Sequence, residues 1–131
     1  MTTFPVHTNE TASDKLKPVL AAVHKKFGFT PNLFRVMAEA PVAAEAYLAV
    51  MDIFENSSLS EAEKQTVLLS VSLVNECEYC VAAHSMVAGM KNVPAEIIEA
   101  LRAGTALPDP KLNALVVLIR SIVETRRFSG I

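Results

Sequence analysis

No stretch of this 131-residue sequence alternates apolar and polar side chains with a period of two, which excludes a sheet of half-buried strands. It also has no low-complexity segment. The longest apolar stretches, Val67 to Val74 and Leu112 to Ile119, are interrupted by Ser or Asn and are too short to span a bilayer. Met1 to Glu10 has neither a basic start nor an apolar run, so no secretory signal is expected and the expected location is cytoplasmic. An excess of one charge is missing too. Twelve basic and fourteen acidic residues leave a formal net charge of −2, which attracts neither nucleic acid nor an anionic membrane. Cysteine is scarce, with only two, so no disulfide scaffold is in prospect. The length fits one domain over residues 1–131, large enough to bury a core without such staples.

Apolar residues, by contrast, make up 51% of the chain and charged residues 20%. That excess of apolar side chains predicts a buried interface between subunits, hence a homo-oligomer.

In chain order, residues 1–12 read as a polar, extended arm, with Pro5 set against helix formation. Ser13-Asp14 resembles a helix cap, and Leu16, Val19, Leu20, Val23 and Phe27 follow at three- and four-residue intervals. Pro18 is awkward inside that helix and fits its first turn better. His24 falls beside Lys25-Lys26 and is expected at the surface. Gly28 ends the helix, and Thr30-Pro31 starts the next in cap-then-proline order. Pro41 to Phe54 reads as a third, Ala-rich helix, and Asn56-Ser57-Ser58 as a loop. Ser60 followed by Glu63 is the capping-box pattern, which opens a fourth helix running to about Val74. A break is expected at Asn75-Glu76, because it would fold the next helix back and bring Gln65 near the level of Cys80 and His84. The cysteine helix then reaches Gly89, Ala95 to Ala103 forms a short helix closed by Gly104, and Pro108-Asp109-Pro110 initiates the last, with Arg126-Arg127 near its negative end. The predicted fold class is all-α, a bundle of six or seven helices.

The chemistry is concentrated in Asn75 to His84, which holds both cysteines and one of the three histidines. On a helix beginning at Cys77, Cys80 lies about 60° and His84 about 20° away around the axis, so two thiols and an imidazole share one face. A thiol with a pKa near ~8.5 needs local help to become a nucleophile. His84, one turn from Cys80, and the positive end of the helix can both give it. One sulfur could then attack an O–O or S–S bond while its neighbour resolves the product as a disulfide. Cys80 is the expected attacker because it lies nearest His84, with Cys77 as resolver; the reverse order also fits, since the first cysteine of such a pair is usually the more exposed. Other readings are a buried hydrophobic cysteine pair and a zinc site. A zinc site has Cys77, Cys80 and His84 but no second pair, and the c-type haem pattern fails because Val81 follows Cys80. No metal or cofactor is expected.

Glu63-Lys64-Gln65, Val71-Ser72, Asn75, Cys77-Glu78-Tyr79-Cys80 and Ala83-His84, together with Phe29 to Met37, resemble the alkylhydroperoxidase AhpD-like branch of the carboxymuconolactone decarboxylase family. The likeness runs from about Lys15 to Arg127. It implies an all-α fold assembled as trimers or hexamers, with a CxxC-x3-His site active as peroxidase and in disulfide exchange. It also implies roles: Cys80 is similar to the peroxide-attacking cysteine, Cys77 to its disulfide partner and His84 to the histidine of a proton relay. Twelve residues before the first cysteine such proteins carry a glutamate, where this chain has Gln65. An amide can orient His84 but cannot take its proton. Glu61, one turn away on the same face, is the expected substitute base if there is one. Tyr79 stands where some relatives have a second histidine, and many relatives continue for several more helices.

The expected function is thus a thiol-dependent alkylhydroperoxidase or disulfide reductase, with Cys80, Cys77, His84 and Gln65 as its site. Its partners would be a hydroperoxide and an external dithiol or disulfide-carrying reductant. The rival functions are a lactone decarboxylase, whose chemistry proceeds without the cysteine pair, and a non-catalytic redox-sensing oligomer.

Overall fold

The structure, a computed structural model, describes residues 4–126. Arg127 and the first three residues of the expected arm lie outside this range. Seven helices and no strand occur among the described residues, as the absence of period-two alternation predicts. They fall into two compact units, divided between Ser57 and Ser58.

The first unit holds α1 (Lys17–Phe27), α2 (Asn32–Met37) and α3 (Pro41–Glu55). Leu16, Leu20 and Val23 bury the apolar stripe of α1 against Phe34 and Ala38, with Tyr47 and Leu48 of α3 packed on the same cluster. The Phe34 and Tyr47 rings meet edge to face at 5.6 Å. Ser13-Asp14 is not the cap of α1. Leu16 occupies that position, and the Ser13 carbonyl accepts from the Leu16 and Lys17 N–H groups in a turn that precedes the helix. Pro18 consequently sits in the first turn, where its missing N–H has no intrahelical partner to lose. Pro31 itself, not Thr30, is the N-cap of α2. The arm ahead of these helices is tied down: the His7 N–H donates to the Arg35 carbonyl, and Arg35 Nε donates back to the His7 carbonyl at 2.8 Å.

The second unit holds α4 (Glu61–Val74), α5 (Glu78–Met90), α6 (Ala95–Ala103) and α7 (Pro110–Thr125). Its centre is α4, which packs against the other three. Leu69 is fully buried there with Leu101, Leu107 and Leu112. Being surrounded, α4 buries polar residues as well, among them Glu63, Lys64, Gln65, Thr66 and Ser70.

The capping box at Ser60 is formed: the Glu63 N–H donates to Ser60 Oγ, and the Ser60 N–H donates to Glu63 Oε2 at 2.7 Å. Lys111 of α7 binds the other Glu63 oxygen at 2.5 Å. The Lys111 ammonium, aided by the Ser60 backbone and side chain, holds the Glu63 carboxyl at about 2, far below its ordinary 4.5. A carboxyl whose pKa falls on folding stabilises the fold above its unfolded value and loses that contribution as the pH drops through its folded value. The α4 start is therefore expected to weaken between about pH 4.5 and pH 2. Denaturant melts across that window should show a steeper acid limb for wild type than for Glu63→Gln; equal slopes would mean that the carboxylate contributes nothing.

Candidate functional site

The chain leaves α4 through two paired bonds that reverse its direction. The Cys77 N–H donates to the Ser72 carbonyl at 2.9 Å and the Glu76 N–H to the Leu73 carbonyl at 3.0 Å, the pattern of a Schellman turn. The left-handed position in that turn, usually glycine, is Glu76 at φ 53°. A side chain there costs about 1–2 kcal/mol, and it sits immediately before the first cysteine.

Cys77 is the N-cap of α5, and its Sγ accepts the Cys80 N–H at 3.3 Å. The two cysteines are joined as a disulfide, with their Cα atoms 5.2 Å apart. Both are half-buried, while Tyr79 between them is exposed. The positive end of α5 thus lies against Cys77, a setting that favours a thiolate there once the bond is reduced.

His84 follows Cys80 by one turn of α5 and is half-buried, with Nδ1 buried and without a hydrogen-bond partner. Burial pushes the His84 pKa down from 6.5. Burial thus favours the neutral ring, which can accept a proton.

Gln65 lies on α4, only 1% exposed, and neither Nε2 nor Oε1 has a partner. An ion pair joins α4 to α5: Lys91 Nζ, at the end of α5, reaches Glu61 Oε2 at 3.3 Å at the start of α4. Gln65 is four residues on from Glu61 and stays within about 40° of that face, and His84, seven residues back from Lys91, stays within about 20°. From the Glu61–Lys91 level the two are about 6 Å and 10.5 Å along their axes, a difference of about 4.5 Å. Gln65 and His84 thus lie on the sides of α4 and α5 that carry the Glu61–Lys91 pair, and no hydrogen bond joins them.

Glu61 does not take the place of a base beside His84. It is paired with Lys64 at 3.0 Å as well as with Lys91, and Lys64 first among these neighbours holds its pKa below the ordinary value. Its level on α5 is about 10 Å from that of His84. The sequence also gave no reason to single out Thr66 and Ser85, yet their hydroxyls are buried without partners on the same two helices as Gln65 and His84. Buried polar groups are normally paired, at a penalty of about 1–3 kcal/mol each when they are not.

The model of the carboxymuconolactone decarboxylase family matches residues 39–118, which include the cysteine pair, His84 and Gln65. The chain belongs to that family. This family member is similar in fold to a crystal structure from Ralstonia eutropha, described as an alkylhydroperoxidase AhpD core and an uncharacterized peroxidase-related protein. The TM-score is 0.83 at 21% sequence identity, over 98% of this chain and 70% of that one. No curated protein sequence matches it. Among the described residues no helix is long and apolar enough to cross a membrane.

Proposed function

We propose that this family member is a thiol-dependent alkylhydroperoxidase with disulfide-reductase capacity, working through Cys80, Cys77, His84 and Gln65. The observation that carries the reading is the Cys77–Cys80 disulfide at the start of α5 with His84 one turn further on. The reduced site holds two thiols. His84 takes the Cys80 proton, the Cys80 thiolate attacks the distal peroxide oxygen, and the O–O bond breaks. Cys80 becomes a sulfenic acid while the alkoxide leaves as alcohol with the proton that His84 returns. The Cys77 thiol then displaces water from the sulfenic acid and closes the disulfide. An external dithiol reduces that bond and is itself oxidised to a disulfide, which completes the electron balance. Gln65 orients the imidazole from the facing helix and carries no proton itself.

A reducing compartment such as the cytoplasm would supply that dithiol. A homo-oligomer fits the exposed apolar face of α3, where Val42, Val50 and Ile53 lie on one stripe with most of their surface open. Light scattering that gives the mass of one chain would overturn the oligomer.

The deciding assay follows an organic hydroperoxide and dithiothreitol together. Both should be consumed in equal amounts through many turnovers; no rate above the uncatalysed reaction would overturn the proposal. The family match also supports a second reading, a lactone decarboxylase. It predicts lactone turnover that survives Cys80→Ser.

A further inference from the structure

On the side of the second unit formed by α4, α6 and α7 lies a cavity of about 190 Å³ whose lining includes none of the four redox residues. Its apolar walls include Leu73, Leu101 and Val116. Ser70 also lines it; that residue is 3% exposed, and its Oγ has no hydrogen-bond partner. Arg120 belongs to the lining too, is exposed, and forms no ion pair with a described residue. No acidic side chain lines the space. The C-terminal end of α6 is the one feature there that would repel an anion, but its Leu101 and Ala100 carbonyls already accept from the Gly104 and Thr105 N–H groups.

These features specify a ligand. A lone guanidinium at an exposed edge favours a carboxylate, which it can bind through two parallel N–H donors. Apolar walls favour an aliphatic body. A buried hydroxyl without a partner incurs a penalty that a ligand oxygen would remove. The volume is below that of a drug- or cofactor-sized site, so the ligand is small.

We propose that this cavity binds a short aliphatic carboxylate bearing a hydroxyl or carbonyl at its far end, with Arg120 holding the carboxylate and Ser70 the far oxygen. The site is separate from the cysteine pair, so it stands or falls independently of the peroxidase reading. Ser70 was visible in the sequence only as an interruption of the apolar run from Val67 to Val74, and Arg120 not at all, because the cavity exists only once three helices meet.

The test is an NMR titration of the full chain with 4-hydroxybutyrate, alongside butyrate and neutral butyramide. Saturable shifts confined to the methyl groups of Leu73, Leu101 and Val116 are expected, with a Kd on the order of 1 mM for a ligand this small. Arg120→Gln, a change at an exposed position, should weaken both acids about fivefold. Ser70→Ala should weaken 4-hydroxybutyrate and leave butyrate unchanged. Cys80→Ser should bind as wild type does. The proposal is overturned if no localised shift appears by about 50 mM, if butyramide binds as well as butyrate, or if Arg120→Gln changes nothing. It is equally overturned if the same methyl shifts arise from raising the protein concentration alone, which would mean that a second copy covers the cavity.

Discussion

Cys80→Ser is expected to abolish hydroperoxide turnover, a loss on the order of a thousandfold or more, because serine offers no thiolate beside His84 and Cys77 is left without a partner with which to close the disulfide. Cys77→Ser should behave differently. With no thiol added, Cys80 can still attack, so one equivalent of hydroperoxide per chain is consumed and the reaction halts at the sulfenic acid, which a sulfenate-trapping reagent would mark by mass. His84→Ala retains both sulfurs and should slow the attack about a hundredfold, with recovery as the pH rises and the thiol ionises unaided. The pH profile separates this from a merely structural loss, which would not recover. The distinction between the two cysteines is open to a sharp reversal. Cys77 receives the helix N-terminus and the Cys80 N–H, while Cys80 has the imidazole one turn away. If Cys80→Ser gives the single-equivalent burst and Cys77→Ser gives none, the roles assigned here are exchanged, and backbone electrostatics outweigh the histidine in choosing the nucleophile.

The helix ends were legible in the sequence wherever local chemistry decides them. Ser60 with Glu63, Gly28, Gly104 and the Asp109-Pro110 pair each act through their own backbone and side chain, and the structure has helices ending at all of them. The start of α1 was misread because Ser13 offers a cap that the chain does not use; burying Ala12 and Leu16 in the first unit's core fixes the turn instead. The stop at Asn75 was legible, but the left-handed residue is Glu76, for which sequence gives no cue, since that conformation normally calls for glycine. The pairing of Cys77 with Cys80 at the start of α5, with His84 one turn beyond Cys80, follows from their spacing. The burial of Gln65 depends on α4 being enclosed on several sides, and the exclusion of Glu61 on two lysines, one of them from α5. Both facts are tertiary. They explain why sequence alone showed neither the enclosure of the Gln65 amide nor the pairing of Glu61 with lysines.

Gln65 offers the second large effect, because two opposite substitutions there should move stability and reactivity in opposite senses. Its amide is enclosed with both polar atoms unpaired, so Gln65→Met, of similar volume, should stabilise the fold by about 1–3 kcal/mol in denaturant melts. Gln65→Glu should destabilise it, since a carboxylate in that setting is deprived of water and its pKa rises. The His84 imidazole, on the helix packed against α4, would change this outcome locally if the relay reading holds. The introduced carboxyl and His84 can share one proton, which gives the site the base that an amide cannot supply. Alkylation of the reduced protein by iodoacetamide at pH 7 should then accelerate at least about tenfold over wild type, and the gain should vanish when His84→Ala is added. An unchanged rate would place Gln65 outside the proton path, and an unchanged stability in Gln65→Met would show that its amide finds partners in solution. If both variants behave as expected, the amide at this position costs the fold stability while holding the thiols below the reactivity that the same helices could give them.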